Sequence, residues 1–179
     1  MNIIDSYNYF KARNQTWKFF LIIFLTLIIC GLTFFITEKL PEIIYNSKPT
    51  LRVADNLWTL RKGDKALIQG YVDLESEMYT SNKSTTCGAY YWRIPFYSTE
   101  NIGDNISIFV YMRDTKTEEP NRFFLPDNFI YEDLIIFTED GQKLGYFDEI
   151  KVIGEVESIE SAKGKTRINI CVKEVSGVY

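Results

Sequence analysis

The longest apolar stretch of the chain lies near its N-terminus. Residues 19–36, FFLIIFLTLIICGLTFFI, contain no charged side chain. An α-helix of this length rises about 27 Å, close to the thickness of the hydrocarbon core of a bilayer. The stretch is apolar on every side, so it lacks the one-sided stripe of an amphipathic helix. The pattern therefore predicts a transmembrane α-helix over residues 19–37.

The residues around this span indicate that it stays attached to the protein. A signal peptide has a shorter apolar region and a small-residue cleavage site, whereas here the span leads into ITEKLPEII. Ile29 precedes Cys30, at a position where a lipoprotein would need a small residue. We therefore expect an uncleaved anchor that separates an N-terminal segment (1–18) from a connector (38–50) and a β domain (51–179).

Basic residues are distributed unequally around the predicted span. Cytoplasmic flanks of membrane spans carry an excess of Lys and Arg. Three basic residues precede the span, namely Lys11, Arg13 and Lys18. Two closely follow it, Lys39 and Lys48, and Glu38 and Glu42 lie near them. The bias predicts a cytoplasmic N-terminus and a single-pass protein of the inner (cytoplasmic) membrane. The C-terminal domain would then be periplasmic or otherwise extracytoplasmic.

Beyond the connector the pattern changes to the two-residue alternation of β-strands. In residues 166–175, Ile168, Ile170 and Val172 alternate with polar residues and Cys171. A turn at Asp140-Gly141 predicts a hairpin. Only residues 51–61 show helical spacing, which predicts a short helix packed against the β domain. The predicted strands are 66–76, 87–99, 105–115, 128–140, 141–147, 148–161 and 166–175. The fold class is thus all-β, a small OB-like β-barrel or sandwich preceded by one transmembrane helix.

Two of the predicted strands share a sequence pattern. DKALIQGYV (64–72) and DEIKVIGEV (148–156) both place a glycine six residues after an aspartate, at Gly70 and Gly154. A glycine within a strand lowers stability unless it permits a bulge, a bend or a close backbone approach. We therefore expect Gly70 and Gly154 to mark two equivalent corners of a barrel, although two ordinary alternating strands could match by coincidence.

Composition excludes several kinds of chemistry. The chain has no histidine and three cysteines, so it can form neither a Cys-His or Ser-His pair nor a four-cysteine zinc site. The β domain and connector together hold 17 basic and 23 acidic side chains, which argues against a nucleic-acid partner. We accordingly predict no catalytic residues, no metal and no cofactor. An enzyme with an unrecognised carboxylate site remains an open alternative.

Three groups of motif residues follow one another between about residues 60 and 157, outside the membrane segment. They are Gly63, Gly70 and Val72, then Cys87, Tyr90, Tyr91 and Arg93, then Asp148, Val152, Gly154 and Val156. Their order resembles the GIDE family, also called the beside-a-membrane domain, a β-rich module attached to transmembrane helices in bacteria and in a mitochondrial ubiquitin ligase. The chain departs from the family in the loop before Cys87 and in having one span rather than two, and it lacks the RING residues of that ligase.

The exported cysteines admit two interpretations. Cys87 has neither a histidine nor a helix N-terminus to activate it, so a nucleophile is disfavoured. Cys87 and Cys171 form an even pair in what we expect to be an oxidising compartment, so they could be joined by a disulfide. The alternative is two separate thiols packed in or on the barrel.

The strand around Cys87 also suggests a binding surface. Alternation places Tyr91, Arg93 and Tyr97 on one face, with Tyr90, Trp92, Ile94 and Phe96 on the other. Aromatic side chains fill cores but are also enriched at interfaces. The sequence thus predicts a non-catalytic recognition or scaffold subunit of a cell-envelope complex, which binds protein partners and attaches to the membrane through residues 19–37. The alternative is an immunity-type protein that neutralises a toxin at the outer face of the inner membrane.

Overall fold

The computed structural model describes residues 3–73, 79–81, 87, 91–127 and 130–178. The chain forms two compact units, Met1–Lys48 and Pro49–Tyr179. The first unit is helical, with α1 (Ile3–Phe34), a π-helical segment (Phe35–Lys39) and α2 (Leu40–Ser47). The second unit holds all the described strands. The protein is therefore strand-rich with a helical N-terminal unit, as the alternation predicts.

The helical unit contains the segment predicted to span a membrane. Within the described residues, one helix is long and apolar enough to cross a bilayer, and it covers Trp17–Ser47. The hydroxyls of Thr26, Thr33 and Thr37 donate to carbonyl oxygens four residues earlier, at 2.9, 2.6 and 2.9 Å. These hydrogen bonds satisfy the hydroxyls within the helix itself, as an apolar environment requires. Helical structure also continues through much of the predicted connector, because α2 extends to Ser47.

The β unit contains one long mixed sheet with short helical turns. A one-turn helix α3 (Val53–Asn56) follows the first strand, and a 3-10 turn (Tyr131–Asp133) precedes the seventh. The strands are β1 (Thr50–Arg52), β2 (Lys65–Val72), β3 (Tyr79–Ser81), β4 (Tyr91–Ser98), β5 (Ile106–Asp114), β6 (Arg122–Phe124), β7 (Ile135–Phe137), β8 (Lys143–Gly145), β9 (Ile150–Ala162) and β10 (Lys165–Gly177).

Five of these strands pair into a closed ring. β2 pairs with β4, β4 with β5, β10 with β9, and β9 with β2, all antiparallel. β5 and β10 close the ring through a parallel pairing. β1 and β3 pair with β2 and β4, whereas β6, β7 and β8 extend the sheet from the end of β5. The ring encloses most of the hydrophobic core.

Alternation along the ring strands explains how this core forms. Every second residue points inward, so branched aliphatic side chains from all five strands meet inside the ring. The inward side chains that are at most 1% exposed include Ile68, Ile94, Val110, Val152, Ile168 and Ile170. Each such side chain contributes roughly 1.5–3 kcal/mol by leaving water, so this layer supplies the main stabilisation of the β unit.

The two glycines with a shared sequence context lie at close backbone approaches. A Cβ atom at Gly70 would lie 2.0 Å from the carbonyl oxygen of Tyr97 in β4. A Cβ atom at Gly154 would lie 2.3 Å from the carbonyl oxygen of Cys171 in β10, beside a shift of register. The two repeated segments pair with each other across β2 and β9, with Ile68 opposite Val152. Close approach of neighbouring strands is therefore the physical reason for both glycines.

Two predicted elements differ from the structure. The predicted strand 128–140 is partly a 3-10 turn, and only Ile135–Phe137 is a strand; Asn128 and Phe129 lie outside the described residues. The amide of Asp133 donates to the carbonyl oxygen of Ile130 at 3.1 Å, which closes the turn before the strand begins. The predicted helix over 51–61 is reduced to Val53–Asn56, because Leu51 lies in β1 and pairs with β2.

Candidate partner-binding face

β4 presents different side chains to the two sides of the ring. Ile94 and Phe96 are buried inside it, and Trp92 packs edge-on against Phe123 with ring centroids 6.2 Å apart. Tyr91 and Arg93 lie on the opposite, outer face and are half-buried. The predicted split of this strand is therefore correct for its described residues. Tyr90 lies outside them.

The outer face of β4 continues across β5 to β10. Arg93 is opposite Tyr111 in β5, and Tyr111 is opposite Cys171 in β10. One pair further along, Pro95, Phe109 and Asn169 form the next row. Arg113 and Arg167 complete a surface that alternates arginine with aromatic side chains. We call this surface the arginine–aromatic face and define it by Tyr91, Arg93, Phe109, Tyr111, Arg113 and Arg167.

Each arginine of this face lies over an aromatic ring. The guanidinium carbon of Arg93 is 3.7 Å from the ring centroid of Phe109, and that of Arg167 is 5.3 Å from the same centroid. The guanidinium carbon of Arg113 is 4.7 Å from the ring centroid of Tyr91. A cation over an aromatic ring is attracted by the negative charge of the ring face, by about 0.5–1 kcal/mol at exposed sites. These contacts hold the positive charges in fixed positions.

Arg93 and Arg113 differ from Arg122 and Arg167 in their partners. Arg167 lies 3.7 Å from Glu160, and Arg122 lies 2.5 Å from Glu119. Within the described part of the chain, neither Arg93 nor Arg113 has an ion pair, and buried N–H groups on both side chains lack a hydrogen-bond acceptor. Those groups are Nε and Nη2 of Arg93 and Nε of Arg113.

Buried donors without acceptors are unfavourable. Each costs about 1–3 kcal/mol, so they are rare in folded proteins. In this face they occur on two positive charges, within a domain whose net charge is negative. These N–H groups are buried, so the carboxylate of a partner would reach them only after the arginine side chains rearrange, and it would then supply both the missing hydrogen bond and the missing counter-charge.

Tyr111 lies at the centre of the face and stays protonated. Burial raises the pKa of the Tyr111 phenol, the charge of Arg93 acts in the opposite direction, and the carboxylates of Glu157 and Glu160 raise it further. The neutral hydroxyl therefore remains available as a hydrogen-bond donor over the physiological range. Together the face offers cationic donors, a neutral donor and flat aromatic surfaces.

Tyr97 lies apart from the other two predicted surface residues. It is on the outer side of β4, but it is opposite Tyr71 of β2 rather than a residue of β5. Four residues of extended strand separate it from Arg93, a distance of roughly 13 Å. The side chain is 67% exposed. The structure thus brings Tyr91 and Arg93 into the arginine–aromatic face and leaves Tyr97 outside it.

A disulfide joins Cys87 to the same sheet. The Cα atoms of Cys87 and Cys171 are 5.2 Å apart and their sulfur atoms are bonded. Of the two interpretations that the sequence left open, the structure has the disulfide. Both cysteines are buried, although Cys171 points to the outer side of β10. Cys87 is therefore bonded to β10 at a residue that is opposite Tyr111 of β5.

The disulfide also removes two thiols from a group of possible metal ligands. Ligand atoms of Cys87, Glu157 and Cys171 all lie within 4.8 Å of one another. A thiol binds a metal as its thiolate, and neither sulfur is a thiolate while the bond is intact. The group therefore offers a single carboxylate in this state, and the prediction of no metal stays untested.

A cleft lies at the end of β4, outside the arginine–aromatic face. The cleft of about 530 Å³ is lined by residues 96–104 and Ile106. It contains Glu100, whose carboxylate lies 2.7 Å from Nε of Arg52. Burial raises the pKa of Glu100, and the charge of Arg52 opposes this effect. The cleft carries no positively charged lining residue, and its acidic groups provide no distinct chemistry for a ligand.

Sequence reasoning found part of the arginine–aromatic face. The alternation in β4 identified Tyr91 and Arg93, but Phe109, Tyr111 and Arg113 come from β5. Their alternation was visible in the sequence, whereas the strand register that joins them to Arg93 was not. No protein-family model and no curated protein matches the chain. The resemblance to the GIDE family therefore stays a prediction, and function must be argued from the face itself.

Proposed function

We propose that this chain is a membrane-anchored, non-catalytic recognition or scaffold subunit of a cell-envelope complex. Its extracytoplasmic β domain would bind an acidic segment of a protein partner through the arginine–aromatic face. The observation that carries the proposal is the pair formed by Arg93 and Arg113. Both are held over aromatic rings and lack an ion pair to any described carboxylate.

The strand ring supports an OB-like barrel as the scaffold for this surface. Five strands each have a ring neighbour on both sides, and their inward residues share one core. The OB fold is a five-stranded Greek-key barrel, so strand number and closure agree with it. The outward residues of β4 and β5 would then carry the binding surface. The GIDE-like assignment rests only on the quoted sequence motifs.

The chemistry of the face favours a protein partner with carboxylates. Arginine forms planar, two-point hydrogen bonds with carboxylates and stacks on aromatic rings, and both modes are common at interfaces. Tyr91, Phe109 and Tyr111 add apolar area that a peptide backbone or side chain can cover. The β domain holds more acidic than basic residues, so the face is a local positive site that would orient an acidic partner.

Membrane attachment completes the proposal. The apolar helix would hold the β domain beside the membrane, and the flanking basic residues favour a cytoplasmic N-terminus. Restriction to a membrane raises the effective concentration of a partner in that membrane, so modest affinity at the face is sufficient. This property suits a subunit of a larger assembly.

Purification of the full-length protein in mild detergent tests the proposal. The wild type should copurify with a defined partner in constant ratio. With the variant Arg93→Gln/Arg113→Gln, the amount of copurified partner should fall by about tenfold or more, because two charge-assisted contacts are lost. Arg52→Gln is the matched control, since this arginine lies in β1, which pairs with β2, and its side chain contacts Glu100. Copurification of nothing with the wild type in several detergents would refute the scaffold role. Full retention by the double variant would refute the assigned face.

A further inference from the structure

Trp58 is the most exposed large apolar side chain of the β unit within the described residues. It is 87% exposed, although tryptophan presents the largest apolar surface of any side chain. Leu57 next to it packs partly against the core, and Val53 and Leu60 on either side are buried. The chain at this point is therefore anchored in the core while Trp58 points into the surroundings.

The turn that carries Trp58 is held by backbone hydrogen bonds. The amides of Thr59 and Leu60 donate to the carbonyl oxygen of Asn56 at 2.9 and 3.0 Å. A few residues later, the amide of Gly63 donates to the carbonyl oxygen of Val156 in β9 at 2.8 Å. The outward position of Trp58 is thus a property of a fixed turn.

The segment around Trp58 has a net charge of opposite sign to that of the remaining domain. Residues 49–65 contain four basic and two acidic side chains, a net charge of +2. Residues 66–179 contain eleven basic and nineteen acidic side chains, a net charge of −8. The basic side chains of Arg61 and Lys62, which follow Trp58 closely, are exposed, and Nζ of Lys62 lies 3.9 Å from the carboxylate of Glu157. A negatively charged surface would attract this segment and repel most of the remaining domain.

The position of Trp58 in the chain identifies such a surface. Trp58 follows Ser47, the last residue of the candidate membrane-spanning helix, by eleven positions. An extended chain of that length reaches at most about 40 Å, which is sufficient for the turn to contact the bilayer surface. Tryptophan beside basic residues is the composition that prefers the headgroup region, with the ring among the acyl chains and the cations at anionic headgroups.

We propose that Trp58, Arg61 and Lys62 form a second membrane contact, which docks the β domain on a bilayer surface containing anionic lipid. This proposal rests on membrane anchoring by the helix but not on the partner or on the arginine–aromatic face. The docked turn restricts the orientation of the β domain relative to the bilayer. It also leaves the acidic majority of the domain surface directed away from anionic headgroups.

Fluorescence quenching by brominated lipids tests this contact in the full chain. The protein is reconstituted into vesicles of phosphatidylcholine and phosphatidylglycerol that carry bromine near the headgroup end of the acyl chains. The difference between Trp17→Phe and Trp17→Phe/Trp58→Phe isolates the emission of Trp58. We expect bromine to remove about half of it, and iodide in the water phase to have little effect. Arg61→Gln/Lys62→Gln should reduce the quenching in these vesicles but not in pure phosphatidylcholine.

Two controls separate failure of docking from failure of anchoring. The difference between Trp58→Phe and Trp17→Phe/Trp58→Phe isolates the emission of Trp17 at the end of the apolar run, because both variants retain Trp92, and its quenching shows that the helix is inserted. Phe147 is 75% exposed and lies between β8 and β9, so Phe147→Trp in the Trp17→Phe/Trp58→Phe background should escape bromine quenching. The proposal is overturned if Trp17 is quenched while Trp58 is accessible to iodide and unaffected by bromine. Protection of Trp58 from both quenchers would also overturn it, because a protein surface would then cover the ring.

Discussion

The inner and outer faces of β4 and β5 are formed by alternating residues of the same two strands, but they satisfy different physical requirements. Inside the ring, Ile94 and Val110 need only apolar neighbours of suitable volume, and they are at most 1% exposed. Outside it, Arg93 and Arg113 stack on aromatic rings and keep hydrogen-bond donors without described acceptors. The inner face therefore maintains the fold, and the outer face is the surface that we propose binds a partner.

The largest effect is expected from the covalent link on the outer face. Cys87→Ala/Cys171→Ala opens a loop of 84 residues, and the free energy of unfolding should fall by about 4 kcal/mol because the unfolded chain gains entropy. Urea unfolding of the full chain in mild detergent measures the loss. Cys30→Ala is the control, because Cys30 is a free cysteine of the apolar helix. Equal stability of the double variant and this control would contradict a structural role for the disulfide.

The next effect comes from the inner face alone. Ile94→Ala removes a buried side chain next to Arg93 in sequence, and the cavity should lower the free energy of unfolding by about 3 kcal/mol. Partner binding should remain unchanged at temperatures where the variant is folded. Thermal denaturation and partner retention, measured on the same preparation, give both values. Loss of binding by the folded variant would mean that the two faces are not separable.

The outer face should show the opposite behaviour. Arg93→Gln/Arg113→Gln should lower the free energy of unfolding by less than about 1 kcal/mol, because the loss of two stacking contacts is offset by the removal of three buried donors without acceptors. The same variant should bind its partner at least about tenfold more weakly. Urea unfolding and titration with the purified partner measure the two quantities. A large loss of stability with unchanged binding would reverse the assignment of the two faces.

The smallest effect concerns two carboxylates, of which one accepts hydrogen bonds and the other is partly buried. Hydrogen bonds from Thr99 and Gln69 lower the pKa of Glu149, so its stabilisation is present above pH 4.5 and is lost as the pH falls through the lowered value. Burial raises the pKa of Glu100, so its contribution declines as the pH rises from 4.5 through the raised value.

The corresponding glutamine variants should therefore respond to pH with opposite signs. The stability difference between Glu149→Gln and wild type should become more unfavourable to the variant as the pH rises from 4 to 7. The difference between Glu100→Gln and wild type should become more favourable to the variant over the same range. Melting temperatures at several pH values test both. Parallel curves for the two variants would contradict the assigned causes.

The same difference between faces explains what the sequence could predict. A two-residue period identifies the inward residues of β4, β5 and β10, because burial of apolar area dominates there. The composition of each strand also shows Tyr91, Arg93 and Phe109 as outward residues. Their proximity depends on the register between strands and on the parallel pairing of β5 with β10, which connects residues sixty positions apart. Local sequence does not encode that pairing.

The helical unit and the strand around residue 135 illustrate the same limit. Uniform apolarity is sufficient to predict the helix through residue 36, whereas Pro41 suggested a connector and instead lies in the first turn of α2, where its missing amide is not needed. Ile136 and Phe137 are consecutive buried residues of β7. The two-residue alternation of a strand is therefore lost there, and it could not identify the bounds of β7. Packing among β6, β7 and β8 determines that segment.

Site-specific photo-crosslinking in native membranes tests the central claim most directly. A benzophenone side chain at Tyr91 replaces one aromatic residue of the arginine–aromatic face by another, and the same group at Phe147 reports an exposed aromatic position elsewhere. We predict that the Tyr91 position yields one defined protein adduct through a segment rich in Asp and Glu, and that Arg93→Gln/Arg113→Gln greatly reduces its yield. An adduct from the Phe147 position with none from Tyr91, or a Tyr91 adduct that persists without both arginines, would contradict the account.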